Sequence, residues 1–213
     1  MTASLLEFVR AALPPPPARV LEVGCGQGEL ARALDAAGYD VVAIDPEAPE
    51  GPIFRCVRLE ELAEDETYDA AVASRSLHHV GDLGGALDKL ARLARLLVLD
   101  EFAWDRLDQT TTDWYSGQFS VLKAAGQEPH ELGTLEEWEV EHAGLHGYDA
   151  LRRELDARFE QRLFEWTPYL YRYLGGPATE ELERSLIAAD AIQALGFRYV
   201  GESATTRSAP GAR

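Results

Sequence analysis

The stretch Val20-Leu21-Glu22-Val23-Gly24-Cys25-Gly26-Gln27-Gly28-Glu29-Leu30 decides the fold. A short apolar β-run, residues 19–23, meets a loop with glycine at every second position, and the helical pattern of residues 29–37 follows. Glycine lacks a Cβ, so such a loop turns tightly and lets a ligand approach the backbone. The helix behind it presents unpaired N–H groups and the positive end of its dipole. The alternative is a plain strand-to-helix turn. Glu29 stands where a dinucleotide fingerprint has its third glycine, which disfavours a nicotinamide-dependent oxidoreductase. Asp45 ends the next strand, VVAID, where a carboxylate accepts from both hydroxyls of a ribose. The competing reading of Asp45 is a turn residue ahead of Pro46.

Outward from this loop the pattern alternates. Strands are predicted at 19–23, 41–45, 53–58, 68–74 and 96–102, with helices at 29–37 and from Asp82 to about Leu93, and one turn over 60–63. Short apolar β-runs alternating with helices predict a doubly wound, mostly parallel α/β sheet. A helix over 2–13, capped by Ser4 or Thr2, precedes them. Pro14–Pro17 form a stiff link, because proline fixes φ and lacks the N–H; a peptide ligand for an SH3-type domain is the other reading.

After Trp104 the rhythm breaks and only helices are predicted for some 75 residues. They run over 108–125, from the Thr134/Glu137 capping box to Ala143, over 149–163, and briefly from Thr167-Pro168 to Gly175. Thr179 is expected to cap a last helix before a sixth strand at 197–202 and a frayed tail, 203–213. The domain expectation is therefore a core of 1–103 and 179–213, with 104–178 as a helical cap inserted after the fifth strand.

The 213 residues are 46% hydrophobic and 27% charged, enough to bury a full core. No apolar run approaches the roughly 18 residues of a membrane span, and no signal peptide is read at the start. Lys and Arg number 20 against 37 Asp and Glu, a net charge of −17. Residues 1–103 carry −9 and 104–213 carry −8. With no basic stripe to meet a phosphate backbone, nucleic acid is excluded as the expected partner and a small neutral or cationic molecule is favoured. The acidity equally serves solubility. Cys25 and Cys56 show no metal spacing, so no metal site is expected, and they suggest a reducing, cytoplasmic compartment.

VLEVGCGQGELARAL, VVAIDP, YDAAVASRSLHHV and LARLLVLDEF occur in the order of the motifs of the class I S-adenosylmethionine (SAM)-dependent methyltransferases, type 11-like, and the chain resembles that family over residues 19–103 and, with fewer marks, over 179–202. The resemblance implies a Rossmann-like sheet with SAM as cofactor, leaving as S-adenosylhomocysteine. Carried onto this sequence, it implies that Glu22 supports the loop and that Gly24, Cys25, Gly26 and Gly28 face the methionine part and the sugar. Asp45 then takes the ribose and Pro46 flanks the adenine. Arg58 fills a slot that is often acidic in relatives, so the backbone of Leu59 and Glu60, or the Glu60 side chain, is expected at the adenine. Ser74 and Arg75 leave the fourth strand beside the methionine end. Two family features are missing: a Pro-Gly-Gly turn before the fifth strand, and a partner for the last strand, which is absent or supplied elsewhere.

Methyl transfer is an in-line displacement in which alignment does most of the work. A base helps where a hydroxyl or ammonium must lose a proton. His78 and His79, after strand four, titrate near neutrality. Asp100 and Glu101 end strand five, where successive side chains point to opposite faces, so one is expected to face the pocket. The catalytic candidates are His78, His79 and Glu101, each with a structural alternative. Residues 102–173 hold 13 of the 19 aromatic residues, including all four tryptophans, as pocket lining or as the core of the cap. The expected function is methylation of a small organic molecule on oxygen or nitrogen. The alternatives are a cyclase-like or regulatory SAM-binding protein, then an NAD(P)-dependent oxidoreductase, then an interaction protein with a relic loop. The oligomeric state is not read from the sequence.

Overall fold

The computed structural model describes residues 4–63 and 65–204. Seven strands form one sheet: β1 Arg19–Val23, β2 Asp40–Asp45, β3 Phe54–Cys56, β4 Tyr68–Ser74, β5 Ala94–Phe102, β6 Phe159–Thr167 and β7 Gly196–Ser203. Their order across the sheet is β3-β2-β1-β4-β5-β7-β6. The pairs β1–β2, β1–β4, β2–β3 and β4–β5 are parallel. The helices are α1 Leu5–Ala12, α2 Glu29–Ala36, α3 Leu83–Leu93, α4 Gln109–Ala124, α5 Leu135–His142, α6 Tyr148–Asp156 and α7 Pro177–Ala188. The doubly wound α/β architecture is as expected. The chain leaves β1 toward β2 and β3 on one side and returns to β4 on the other. This puts a topological switch point between β1 and β4, where open α/β sheets bind ligands at their carboxyl ends.

Local chemistry sets these elements. Ser4 and Glu7 close a capping box at α1. Asp82 caps α3 by accepting from the Gly85 N–H, and Asp108 caps α4 through Thr111. Thr134 and Glu137 form the expected box at α5. Strand β1 is buried from Val20 to Val23, as a central parallel strand covered on both faces should be.

The chain divides into two compact units. One comprises the chain up to Glu101, Asp149–Phe164, and the chain from Arg198 onward. Its core packs Val20, Ala43, Ala70 and Val72 of the sheet with Phe8 and Val9 of α1 and Ala31 and Leu34 of α2. The other comprises Phe102–Tyr148 and Glu165–Phe197. Its core is aromatic: Phe102 stacks on Tyr169 at 4.1 Å between ring centres, and Trp138 on His142 at 3.9 Å.

Several expectations need correction. The helix expected over 149–163 ends at Asp156, and Phe159–Thr167 is a strand, so 104–178 is not wholly helical. Strand β6 lies at the sheet edge, with Glu160, Gln161 and Arg162 exposed to water. Its alternation is therefore polar on most positions and reads like a helix surface. This strand supplies the partner that the last strand needs. Thr179 lies inside α7 and donates to the Gly176 carbonyl, and Gly176 is the capping residue. Strand β5 starts at Ala94, two residues before the expected Leu96, directly after α3 ends at Leu93, and the missing turn before it is as the sequence implied. Ser203 is not frayed; it ends β7 and its hydroxyl donates to Ala91 O at 2.7 Å. Thr2 and residues 205–213 lie outside the described residues.

Candidate active site

The glycine loop is tied to β2 by two backbone bonds, with Gly24 and Cys25 N–H both donating to Ile44 O at 2.9 and 3.1 Å. That register brings Asp45 to the loop. One carboxylate oxygen accepts from Gly26 N–H at 3.0 Å and the other from Glu47 N–H at 2.8 Å. Gly24 and Gly26 have φ of +73° and +50°, which disfavours a side chain at either position. A Cβ on Gly24 would strike the Ser76 side chain, whereas one on Gly26 would meet nothing and project into open space.

Two cavities open at this point. The larger, about 420 Å³, is lined by Gly24, Gly26, Asp45, Pro46, Leu59, Glu60, Arg75 and His79 of the expected residues. Ile44, Val57, Arg58, Ser76, Val80 and Gly81 also line it. The smaller, about 350 Å³, is lined by Glu22, Gly24, Cys25, Gly26, Ser74 and Arg75, together with Leu5, Gln27, Glu29 and Leu30. Both share Gly24, Gly26 and Arg75, the residues that leave β1 and β4. Gly28 lines neither. It is the left-handed cap of α2, and a side chain there would collide with the Phe54 ring. Leu5 comes from α1 across the proline link, and no sequence signal marks it.

The smaller cavity tests the fit of SAM. Glu22 is 3% exposed, yet its Oε2 has no partner, and neither does the buried Ser74 hydroxyl. Burial, with the nearby Asp45 charge adding, pushes the Glu22 carboxyl up to about 8. A cation beside this unpartnered oxygen draws the proton off and gains a carboxylate acceptor, which suits an ammonium group such as the one on a methionyl tail. Burial also pushes the Cys25 thiol up to about 12, so it stays protonated at neutral pH and is no nucleophile.

The three catalytic candidates separate. Glu101 is 1% exposed; Oε1 accepts from Ser76 and Leu77 N–H at 2.8 and 2.7 Å, and Oε2 lies 2.6 Å from His78 Nδ1. Neither Glu101 nor His78 lines either of these two cavities. Asp100 turns to Arg198 at 3.2 Å, and its carbonyl accepts from Arg75 N–H. The expectation that one strand-five carboxylate faces the pocket therefore fails: Glu101 is spent on the backbone after β4. His79 alone of the three reaches the larger cavity, with its ring 4.2 Å from that of His78. Desolvation, reinforced by His78 and opposed by Glu101, holds the His79 imidazole below its usual value, so it is neutral near pH 7. Arg75 adopts a left-handed φ of +53°, held by its bond to Asp100 O and by the Glu101 clamp on the next two residues. His142 is built into the aromatic core, with Nδ1 2.8 Å from Trp138 O. Among the described residues no group of three His, Cys, Asp or Glu side chains could hold a metal, and no helix is long and apolar enough to cross a membrane.

The family described as methyltransferase domain matches residues 1–158. The ubiquinone biosynthesis O-methyltransferase of Rhodopseudomonas palustris (strain HaA2) is 32% identical over 90 residues, 36% of this chain and 36% of that protein. The enzyme of the same name from Hahella chejuensis is 37% identical over 107 residues, 42% of this chain and 44% of its own. The chain thus spans less than half the length of these curated relatives. The crystal structure of an S-adenosylmethionine-dependent methyltransferase from Mesorhizobium loti superposes with a TM-score of 0.58 at 14% identity, covering 91% of this chain and 95% of that one, and so shares the fold. With its family match over 1–158 and its seven-stranded Rossmann-like sheet, the chain belongs to the methyltransferase domain family, whose cofactor is S-adenosylmethionine.

Proposed function

We propose that the chain transfers a methyl group from SAM to the oxygen of a small hydroxylated organic molecule, with His79 accepting the hydroxyl proton. The observation that supports this most is a single cavity of about 420 Å³ whose wall carries Gly24, Gly26, Asp45, Arg75 and His79 together. When bound, SAM supplies a methyl group already activated on a sulfonium. The loop and Asp45 hold the nucleoside, Glu22 and Ser74 meet the methionyl ammonium, and Leu59 and Glu60 present backbone to the adenine. Neutral His79 removes the proton that an attacking hydroxyl must lose. Oxygen is favoured over nitrogen by this base and by the O-methyltransferase names of the relatives. The net charge of −17 opposes polyanionic acceptors at long range.

The unit of Phe102–Tyr148 and Glu165–Phe197 is assigned the choice of acceptor, on its aromatic content and on the unpartnered buried indole N–H groups of Trp104 and Trp114. Two free cysteines, one of them exposed, favour a reducing compartment, and we place the protein in the cytoplasm. The test is a screen of small phenols, alcohols and amines scored by S-adenosylhomocysteine release, repeated with His79→Ala. The reading expects acceptor-dependent release that falls by about 10²- to 10⁴-fold in the variant, while affinity for S-adenosylhomocysteine stays within a few-fold. Release that persists unchanged in the variant removes His79 from the reaction.

A further inference from the structure

Lys89 lies on α3 and is 7% exposed. Its neighbours Ala86, Leu87, Leu90 and Ala91 are buried core residues, and an apolar side chain would satisfy packing at this position. A buried ammonium is costly unless its donors are used. Lys89 Nζ donates to Glu60 O at 2.8 Å and to Leu62 O at 2.5 Å. Both acceptors belong to the short turn Leu59–Glu61 and its exit, and Leu59 and Glu60 line the larger cavity.

The turn uses most of its remaining backbone internally. Arg58 O accepts from Glu61 N–H at 3.0 Å, Leu59 O from Leu62 N–H at 3.2 Å, and Arg58 N–H donates to the Glu61 carboxylate at 3.0 Å. The N–H groups of Leu59 and Glu60 have no acceptor among the described residues. The segment is therefore anchored from behind, through its carbonyls, by a single side chain of another element, while donors remain unspent on residues of the cavity wall.

We propose that Lys89 is a positioning residue for the nucleobase: by holding the Glu60 and Leu62 carbonyls it sets the angle of the Leu59–Glu60 backbone and so selects a purine that presents a ring-nitrogen acceptor. This rests on the reading that the cavity holds SAM. Adenine offers an unprotonated N1, whereas hypoxanthine carries N1–H and would set a donor against a donor. The Lys89 side chain itself touches neither purine.

The experiment titrates S-adenosylhomocysteine and S-inosylhomocysteine into the wild type, Lys89→Met and Lys89→Arg. The wild type is expected to prefer the adenine ligand by about tenfold or more, the value of one hydrogen bond exchanged for an unpaired donor. Lys89→Met is expected to bring the two ligands within about threefold by weakening only the adenine ligand. Its KM for SAM then rises while kcat at saturation holds. Lys89→Arg, which keeps a cation with several donors, retains the preference. If Lys89→Met does not fold, Lys89→Gln carries the same comparison. Full preference in a folded Met or Gln variant overturns the proposal. So does an equal loss for both ligands, which marks a general structural defect. A wild type that binds neither ligand, or binds both equally, overturns the reading of the cavity itself.

Discussion

A second task, at the ribose, is proposed for Asp45 beside the one that its distances show. Its oxygens already accept from Gly26 and Glu47 N–H, which shapes the loop, and each keeps lone-pair capacity toward the cavity. Asp45→Ala is expected to weaken S-adenosylhomocysteine binding by about 10- to 150-fold, or roughly 1.5–3 kcal/mol, in calorimetric titration. Unchanged affinity would remove Asp45 from the ribose. Glu22 answers to pH. Its carboxyl is held up to about 8 in the fold against 4.5 in the open chain, so the folded state keeps a proton that the unfolded state releases. Its contribution to stability is complete below about 4.5, is lost as pH rises toward about 8, and is level beyond. Denaturant titrations of wild type and Glu22→Gln should therefore diverge over that window by a few kcal/mol, with the wild type losing stability as pH rises. Parallel curves would contradict the assignment. The glycine spacing and Asp45 were legible in the sequence because their chemistry is local. The state of Glu22 was not, because it depends on what is packed around the strand.

The exit of β4 is the element on which the proposed chemistry depends. Glu101 reaches across from β5 and clamps Ser76, Leu77 and His78, which leaves His79 at the cavity. Glu101→Gln replaces an acceptor-only group by one that carries donors, facing two backbone N–H groups. It is expected to cost about 2–4 kcal/mol of stability and to lower cofactor affinity and turnover together. A general base would instead lose turnover alone, so the paired measurement separates the two roles. Sequence reasoning found a carboxylate at this strand end and assigned it to the pocket by alternation. Alternation fixes the side of the sheet, not the partner, and the nearest unsatisfied groups here were the N–H groups of the neighbouring loop. Strand β6 was missed for a different reason. At a sheet edge its polar side chains face water, and Glu, Gln and Arg carry helical preference, so period and propensity both pointed away from a strand. Lys89 carried no signal, because its partners are carbonyls nearly thirty positions away.

At the scale of the molecule, the βα alternation over 19–103 was readable because the central parallel strands β1 and β4 are buried on both faces and appear as apolar runs. In the second unit α4 and α5 were readable from their caps, but the core only as an aromatic concentration, since it is assembled from Phe102, Tyr115, Trp138 and Tyr169, far apart in sequence. If that unit chooses the acceptor, Trp104→Phe should alter the KM for the acceptor and leave the KM for SAM within about twofold in steady-state kinetics. Equal changes in both would place Trp104 in the framework instead. The central claim is methyl transfer itself, and its most direct measurement is mass spectrometry of an acceptor incubated with the protein and SAM bearing a trideuterated methyl group. The account predicts a trideuteromethyl group on the acceptor oxygen and an equal amount of S-adenosylhomocysteine. SAM recovered intact beside an unlabelled acceptor, whether unchanged or rearranged, would contradict it.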